Sequence, residues 1–250
     1  MMNYIVKTDK GKYRKENQDY ASISFLGNWT LAVLCDGMGG HFGGSVCSTK
    51  SIEFLFKYFQ QNFDPEVNYD DKKLINKWFN NALSYIKKSL NEIAKENEDY
   101  SDMGTTLTAA LVFNSNKQTY IFNIGDSRTY AYNGYLYQIT RDQNLLHQLV
   151  KHKILSLELA KLHPDANKLV SCLGPNKIMK CDGFLLKSNE DVQYLLLTSD
   201  GVHDYIEKPT LEQILQDAKL NIEQKANKMI SVAKKNLSKD NLTVVIMEFN

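Results

Sequence analysis

The sequence predicts an α+β fold, an α-β-β-α sandwich of two mostly antiparallel sheets flanked by helix pairs. Three observations predict it. The segments run in the order strands, two helices, strands, two helices, strand. Hairpins outnumber crossovers, which favours antiparallel pairing. The long helices are amphipathic, and each needs a sheet face to cover.

Taken in order, strands are expected at 4–7, 20–25 and 29–34. The first helical stretch follows, with Ile52, Leu55, Phe56, Phe59 and Phe63 recurring at helical spacing. In the second, Ile75, Trp78, Phe79, Ala82, Ile86, Leu90 and Ile93 do the same. Segment 105–138 alternates as a hairpin meander. It puts Leu107, Ala109, Leu111 and Phe113 on one face and Tyr120, Phe122 and Ile124 on another, across a polar turn at 114–116. Residues 142–176 read as irregular with short helical pieces. Strands return at 178–187 and 192–198. Two more helices follow, the second carried by Ile222, Ala226, Met229, Ile230, Ala233 and Leu237, and a strand closes the series at 242–249.

The bulk numbers narrow the function. A chain of 250 residues, 43% hydrophobic, can bury a full core, and no Pro/Gly/Ser-rich linker divides it. Residues 1–250 are therefore expected to be a single domain. Lys+Arg number 30 against 29 Asp+Glu, so no overall charge draws the chain to nucleic acid or acidic lipid. Two runs, 72–95 and 219–239, lean basic and read as solvated helix faces. The four cysteines form no C-x-x-C pair and read as reduced thiols, with Cys35 as buried packing. MMNYIVKTDKGK carries no apolar leader, and no run approaches the roughly 18 residues of a membrane helix. A soluble cytoplasmic protein, not associated with a membrane, is the expectation.

The chemistry gathers at the strand ends. LAVLC runs into Asp36, YIFNIG into Asp126 and YLLLTS into Asp200, while Asp19 and Asp240 precede YASISF and NLTVVIMEF. One such aspartate is ordinary turn chemistry. Five on neighbouring strands would converge and repel unless a cation sat among them. An all-oxygen set without matching His or Cys favours Mg²⁺ or Mn²⁺ over zinc. Five of residues 37–44 are glycine, which lets the backbone turn sharply and bring a carbonyl such as that of Gly37 to the ion. Nucleotide loops do not explain them: a dinucleotide loop needs glycine at Phe42, and a phosphate loop needs lysine at Ser45.

Seven motifs then come in one order: Arg14-x-x-Asn17-Gln18-Asp19, Asp36-Gly37-Met38-Gly39-Gly40-His41, Met103-Gly104-Thr105-Thr106, Gly125-Asp126-Ser127-Arg128, Leu173-Gly174, Ser199-Asp200-Gly201 and Asp240-Asn241-Leu242-Thr243. The set, spanning 14–243, resembles the metal-dependent protein Ser/Thr phosphatases of the phosphatase 2C family in their compact bacterial form. The resemblance implies the same sandwich and two ions, Mn²⁺ or Mg²⁺, in a cleft at one end. It implies that Asp36 bridges both, that Asp200 and Asp240 complete the first site, and that the Gly37 carbonyl and waters held by Asp19 complete the second. Asp126 with Asp200 would form a third. Arg14 would bind the substrate phosphate. The implied reaction is hydrolysis of phosphoserine and phosphothreonine by a metal-bridging hydroxide in one in-line step, with two cations about 3.5–4 Å apart sharing the charge. The implied partners are phosphorylated proteins, a Ser/Thr kinase and its substrates, and a monomeric enzyme is expected.

Some positions depart from the family. Gln18 stands where many relatives have glutamate, and Met38 where animal members have a histidine proposed as general acid. Asp142-Gln143-Asn144 replaces an Asp-His-Ser stretch just before the flap, about 145–176. His41 is the candidate proton donor to the leaving alkoxide, its alternative role being to order the loop or a metal-bound water. Arg128 is expected to tie its strand end down by ion pairing. Two other functions stay open, a phosphoprotein-binding pseudophosphatase and a small-molecule phosphatase. Loss of a metal aspartate would mark the former, and Asp36, Asp200 and Asp240 are all present.

Overall fold

A computed structural model describes residues 2–39, 43–188 and 191–249 of the chain. The candidate donor His41 lies outside the described residues. The strands are β1 (Asn3–Asp9), β2 (Asp19–Leu26), β3 (Trp29–Met38), β4 (Gly104–Thr105), β5 (Leu107–Phe113), β6 (Thr119–Ile124), β7 (Arg128–Tyr132), β8 (Leu136–Gln138), β9 (Asp182–Leu186), β10 (Tyr194–Thr198) and β11 (Leu242–Glu248). The helices are α1 (Gly43–Asn62), α2 (Lys72–Glu96), α3 (Leu145–Lys151), α4 (Leu157–Lys161), α5 (Asp200–His203), α6 (Lys208–Gln216) and α7 (Ile222–Lys235).

The strands form two sheets. One has the order β1-β11-β10-β7-β8, the other β2-β3-β5-β6-β9 with β4 paired to β3. The strand pairings are antiparallel. Three apolar layers hold the four-layer stack together. Leu31, Val33 and Cys35 of β3 pack under α1 and α2. Ala32 and Leu34 of the same strand face Leu195, Leu197, Val245 and Met247 of the other sheet. Val244 and Ile246 point outward again, under Val202, Leu211 and Met229 of the second helix group. Central strands are thus buried on both faces, which is why they read as continuous apolar runs.

Local chemistry sets the helix ends. The Asp71 side chain accepts from Leu74 N–H at the start of α2, and Asn221 with Gln224 forms a capping box on α7. The buried Lys225 of α7 donates to the carbonyls of Ile214, Leu215 and Asp217, satisfying the C-terminal end of α6.

Three details differ from the sequence reading. The two arms of the β5–β6 hairpin share a face: Leu107, Ala109 and Leu111 stand opposite Ile124, Phe122 and Tyr120, and all six join the layer under α1 and α2. Register across the turn decides this, and residue alternation within one arm cannot show it. Strand β9 begins at Asp182, because 178–180 turns back on the flap end through Cys172 N–H to Ile178 O and Ser171 Oγ to Lys180 O. A one-turn helix, α5, precedes the two expected C-terminal helices.

Candidate metal centre

Both sheets deliver carboxylates to one end of the sandwich. Asp19 opens β2 directly opposite Asp36, near the end of β3. Asp126 stands in the turn that carries the chain from β6 in one sheet to β7 in the other. Asp200 follows β10 and Asp240 precedes β11, whose adjoining ends pair Thr198 with Val244. Polar side chains lace the sheets together here. Thr106 shares a hydrogen bond with Ser127, and Thr108 with Thr129, each 2.7 Å. Ser199 Oγ accepts from Thr243 N–H at 3.0 Å and donates to Asp19 Oδ2 at 2.7 Å.

The backbone around Asp36 is clamped. Its N–H donates to Thr106 Oγ1 (2.9 Å), and its carbonyl accepts from Thr106 N–H and Thr105 Oγ1 (both 2.8 Å). The glycine that follows has a steric reason. A Cβ on Gly37 would sit 2.2 Å from Gly44 O and 2.6 Å from Gln18 O. Only Gly39 of the described loop takes the left-handed backbone, at φ 133°, so the sharp turn is there and not at Gly37. Gly201 is equally confined: a Cβ would meet Asn241 O at 1.9 Å. Gly201→Ala is expected to lower stability by at least about 2 kcal/mol. Urea unfolding checks this, and an unshifted midpoint would show that the Asn241 backbone can yield.

The charges crowd one another. Burial first, then the carboxylates of Asp19, Asp200, Asp126 and Asp240, push the Asp36 carboxyl well above its usual range. Burial and the charges of Asp126, Asp240 and Asp19 do the same to Asp200. Burial lifts Asp19 to about 6, against hydrogen bonds from Ser199 and Thr243. Burial and Asp142 lift Asp126 to about 7. Two buried oxygens, Asp19 Oδ1 and Asp200 Oδ1, have no hydrogen-bond partner. Orphaned carboxylate oxygens amid repelling charges fit a divalent cation. Among the described residues no three Asp, Glu, His or Cys side chains form a ready cage. The carboxylate oxygens suit a hard divalent ion.

Arg14 reaches this end as expected, but its Nη2 lies 2.6 Å from Asp240 Oδ2 with half its side chain exposed. Asp240 Oδ1 accepts from Asn241 N–H at 2.8 Å. Arg128 does tie its strand end: Nε lies 3.0 Å from both oxygens of Asp142, and Nη2 lies 2.6 Å from Oδ2. Cys35 is fully buried packing, its thiol pushed well up by burial.

Sequence reasoning missed the supports. Asn241 Oδ1 accepts from Gln18 N–H, and its Nδ2 donates to the carbonyls of Lys10 and Glu16, fixing the loop that carries Arg14. Gln143 holds the Asp126 turn by accepting from Gly125 N–H at 2.9 Å, and Asn144 Nδ2 lies 3.4 Å from Asp126 Oδ2. Asp204, near Asp126 and 4.0 Å from Arg128, had one legible signal, its position four residues after Asp200.

Comparison with known proteins follows this geometry. Residues 12–239 match the family model described as Protein phosphatase 2C. The chain belongs to the protein phosphatase 2C family. A serine/threonine phosphatase stp of Listeria welshimeri is 31% identical over 251 residues, covering 100% of this chain and 96% of the relative. Among solved phosphatase 2C folds, serine/threonine phosphatase Stp1 from Staphylococcus aureus superposes with a TM-score of 0.87 at 33% identity, covering 100% of this chain and 96% of that one. The catalytic domain of the phosphatase PstP, in complex with two manganese ions, has a TM-score of 0.79 at 26% identity over 99% of this chain and 97% of that one. The phosphatase 2C sandwich is the α-β-β-α arrangement read from the sequence.

Proposed function

We propose that this chain is a metal-dependent protein serine/threonine phosphatase that reverses the work of a Ser/Thr kinase in the cytoplasm. We infer further that residues 1–250 act as one monomeric catalytic domain with a flap at about 145–176. One observation carries the reading: five aspartates from both sheets meet at one end, with buried carboxylate oxygens lacking partners. Among the described residues no helix is long and apolar enough to cross a membrane.

Asp36 is assigned to both core ions, Asp200 and Asp240 to the first, and the Gly37 carbonyl with Asp19 to the second. Asp126 and Asp200 are assigned to a third. Bound there, Mn²⁺ or Mg²⁺ would neutralise phosphoryl oxygens and bring a water's pKa toward neutrality. The chain's own residues position the reaction. Thr105 and Thr106 fix Asp36 by its backbone, and Ser199 orients Asp19. Arg14 presents a planar fork suited to a phosphate, and Asn241 holds the loop it sits on. His41 is assigned the proton for the leaving alkoxide.

Turnover of an aryl phosphate and a phosphothreonine peptide is expected with Mn²⁺ or Mg²⁺ and to vanish after exhaustive chelation. Full activity in chelator would overturn the reading.

A further inference from the structure

The basic run 72–95 found no use in the catalytic assignment, and the structure gives it a place. The second half of α2, Ser101 and the segment after the flap line an open hollow of about 660 Å³. Lys87, Lys88 and Lys95 line it against a single acid, Glu92, which Lys95 already engages at 3.0 Å. Asn91 and Asn176 supply further donors. Its charged lining is three lysines to one glutamate, the opposite of the acidic centre.

The hollow's walls are tied together, and one of them leads toward Met38. Lys87 Nζ donates to Lys177 O at 3.0 Å, and Asn176 Nδ2 donates to Ser101 O at 3.2 Å, so the far wall is tied to the near one. Lys177 pairs with Asp102 at 2.6 Å. Its Cε lies 3.4 Å from where a Cβ on Gly104 would be, with Met38 Cγ 3.2 Å from the same point. Met38 stands opposite Gly104 in the β3–β4 pairing and two residues from Asp36. Lys177 thus links the hollow's wall at Asn176 to the Met38–Gly104 pairing, two residues from Asp36.

We propose that this hollow docks an acidic segment of the phosphoprotein substrate, flanking the phosphorylated residue that lies in the cleft; the inference rests on the phosphatase reading. Charge complementarity selects the partner. Carboxylates would be drawn to the lysines of the hollow, which lie on one side of the phosphorylated residue and so fix the direction in which the substrate lies.

The test uses phosphothreonine peptides of one sequence, with a run of glutamates or of glutamines on either side, beside an aryl phosphate. The chains are wild type and Lys88→Glu/Lys95→Glu, with Mn²⁺. At low salt the glutamate peptide is expected to have about a tenfold higher kcat/KM on wild type, from one side only. High salt and the double variant should erase that advantage, while aryl phosphate turnover stays within about twofold. The unphosphorylated glutamate peptide, followed by fluorescence anisotropy without added metal, should bind wild type and not the variant. Equal rates for both peptides, or a preference retained by the variant, would overturn the docking site. Peptide binding by a wild-type chain that hydrolyses no phosphate ester would instead overturn the phosphatase reading and leave the surface standing.

Discussion

Asp36→Asn is expected to cut phosphatase turnover by at least about 10³-fold, some 4 kcal/mol of barrier, while making the metal-free chain more stable at neutral pH. The activity loss follows because one side chain is assigned to two ions and no neighbour duplicates it. The stability gain follows from the charges. Asp36 and its neighbours have folded-state pKa values above the usual carboxylate value, up to about 6 at Asp19 and about 7 at Asp126. The folded chain then binds more protons than the unfolded one. The contribution of these groups to stability is fully present below a pH of about 4 and is lost as pH rises through their folded values. Asparagine removes one of the repelling charges, so the variant and wild type should melt together near pH 4 and separate toward pH 8. A rise of at least about 2 °C in the melting temperature is expected there, the response of a chain this size to roughly 1 kcal/mol. Mn²⁺ should reverse the order by stabilising wild type more than the variant. A variant that melts lower without metal at pH 8 would show that repulsion at this end does not govern stability.

The second large effect concerns Asp142. Its carboxylate is buried, accepts three contacts from Arg128 and one from Gln138 Nε2 at 2.8 Å. Asp142→Ala would leave the guanidinium, only a fifth of which is exposed, with Tyr130 and the more distant Asp204 at 4.0 Å. Removing one partner of such a pair costs about 3–5 kcal/mol. Arg128→Met/Asp142→Leu should lose much less, since no charge is then left alone. Urea unfolding of the two singles and the double closes the cycle. A single-variant loss under about 1 kcal/mol would mean that water solvates Arg128 freely once Asp142 is gone. Because Gln143 and Asn144 follow Asp142 and hold the Asp126 turn, the single variant should also weaken Mn²⁺ binding at the third site proposed on Asp126.

The succession of strands and helices along the chain, the long helices and the five aspartates at strand ends were legible because each is local. An apolar run ending in a carboxylate is visible within ten residues, and helical spacing within twenty. The supports were not, because they act across space. Asn241 bonds residues more than 220 positions away, and Arg128 finds Asp142 over a turn and a short strand. The shared face of Tyr120 and Leu111 depends on pairing register, which the alternation of either strand leaves undetermined. Gly37 was assigned to a metal-facing carbonyl, yet its pressing constraint is the passage between Gln18 and Gly44, a contact between three separate segments.

The place of β1 has a consequence for synthesis. It is an edge strand whose one neighbour in its sheet is β11, so residues 3–9 pair with 242–248. A ribosome adds residues at about 5–20 per second, so the first strand waits many seconds for its partner. Until then Asp240 is also missing from the centre and β10 lacks its other neighbour. A chain still lacking residues 242–248 leaves β1 and β10 without their shared neighbour, so the sheet that leads to Asp200 stays unfinished. Closure of this sheet, and with it the gathering of the aspartates at one end, comes only after residues 242–248 have been made.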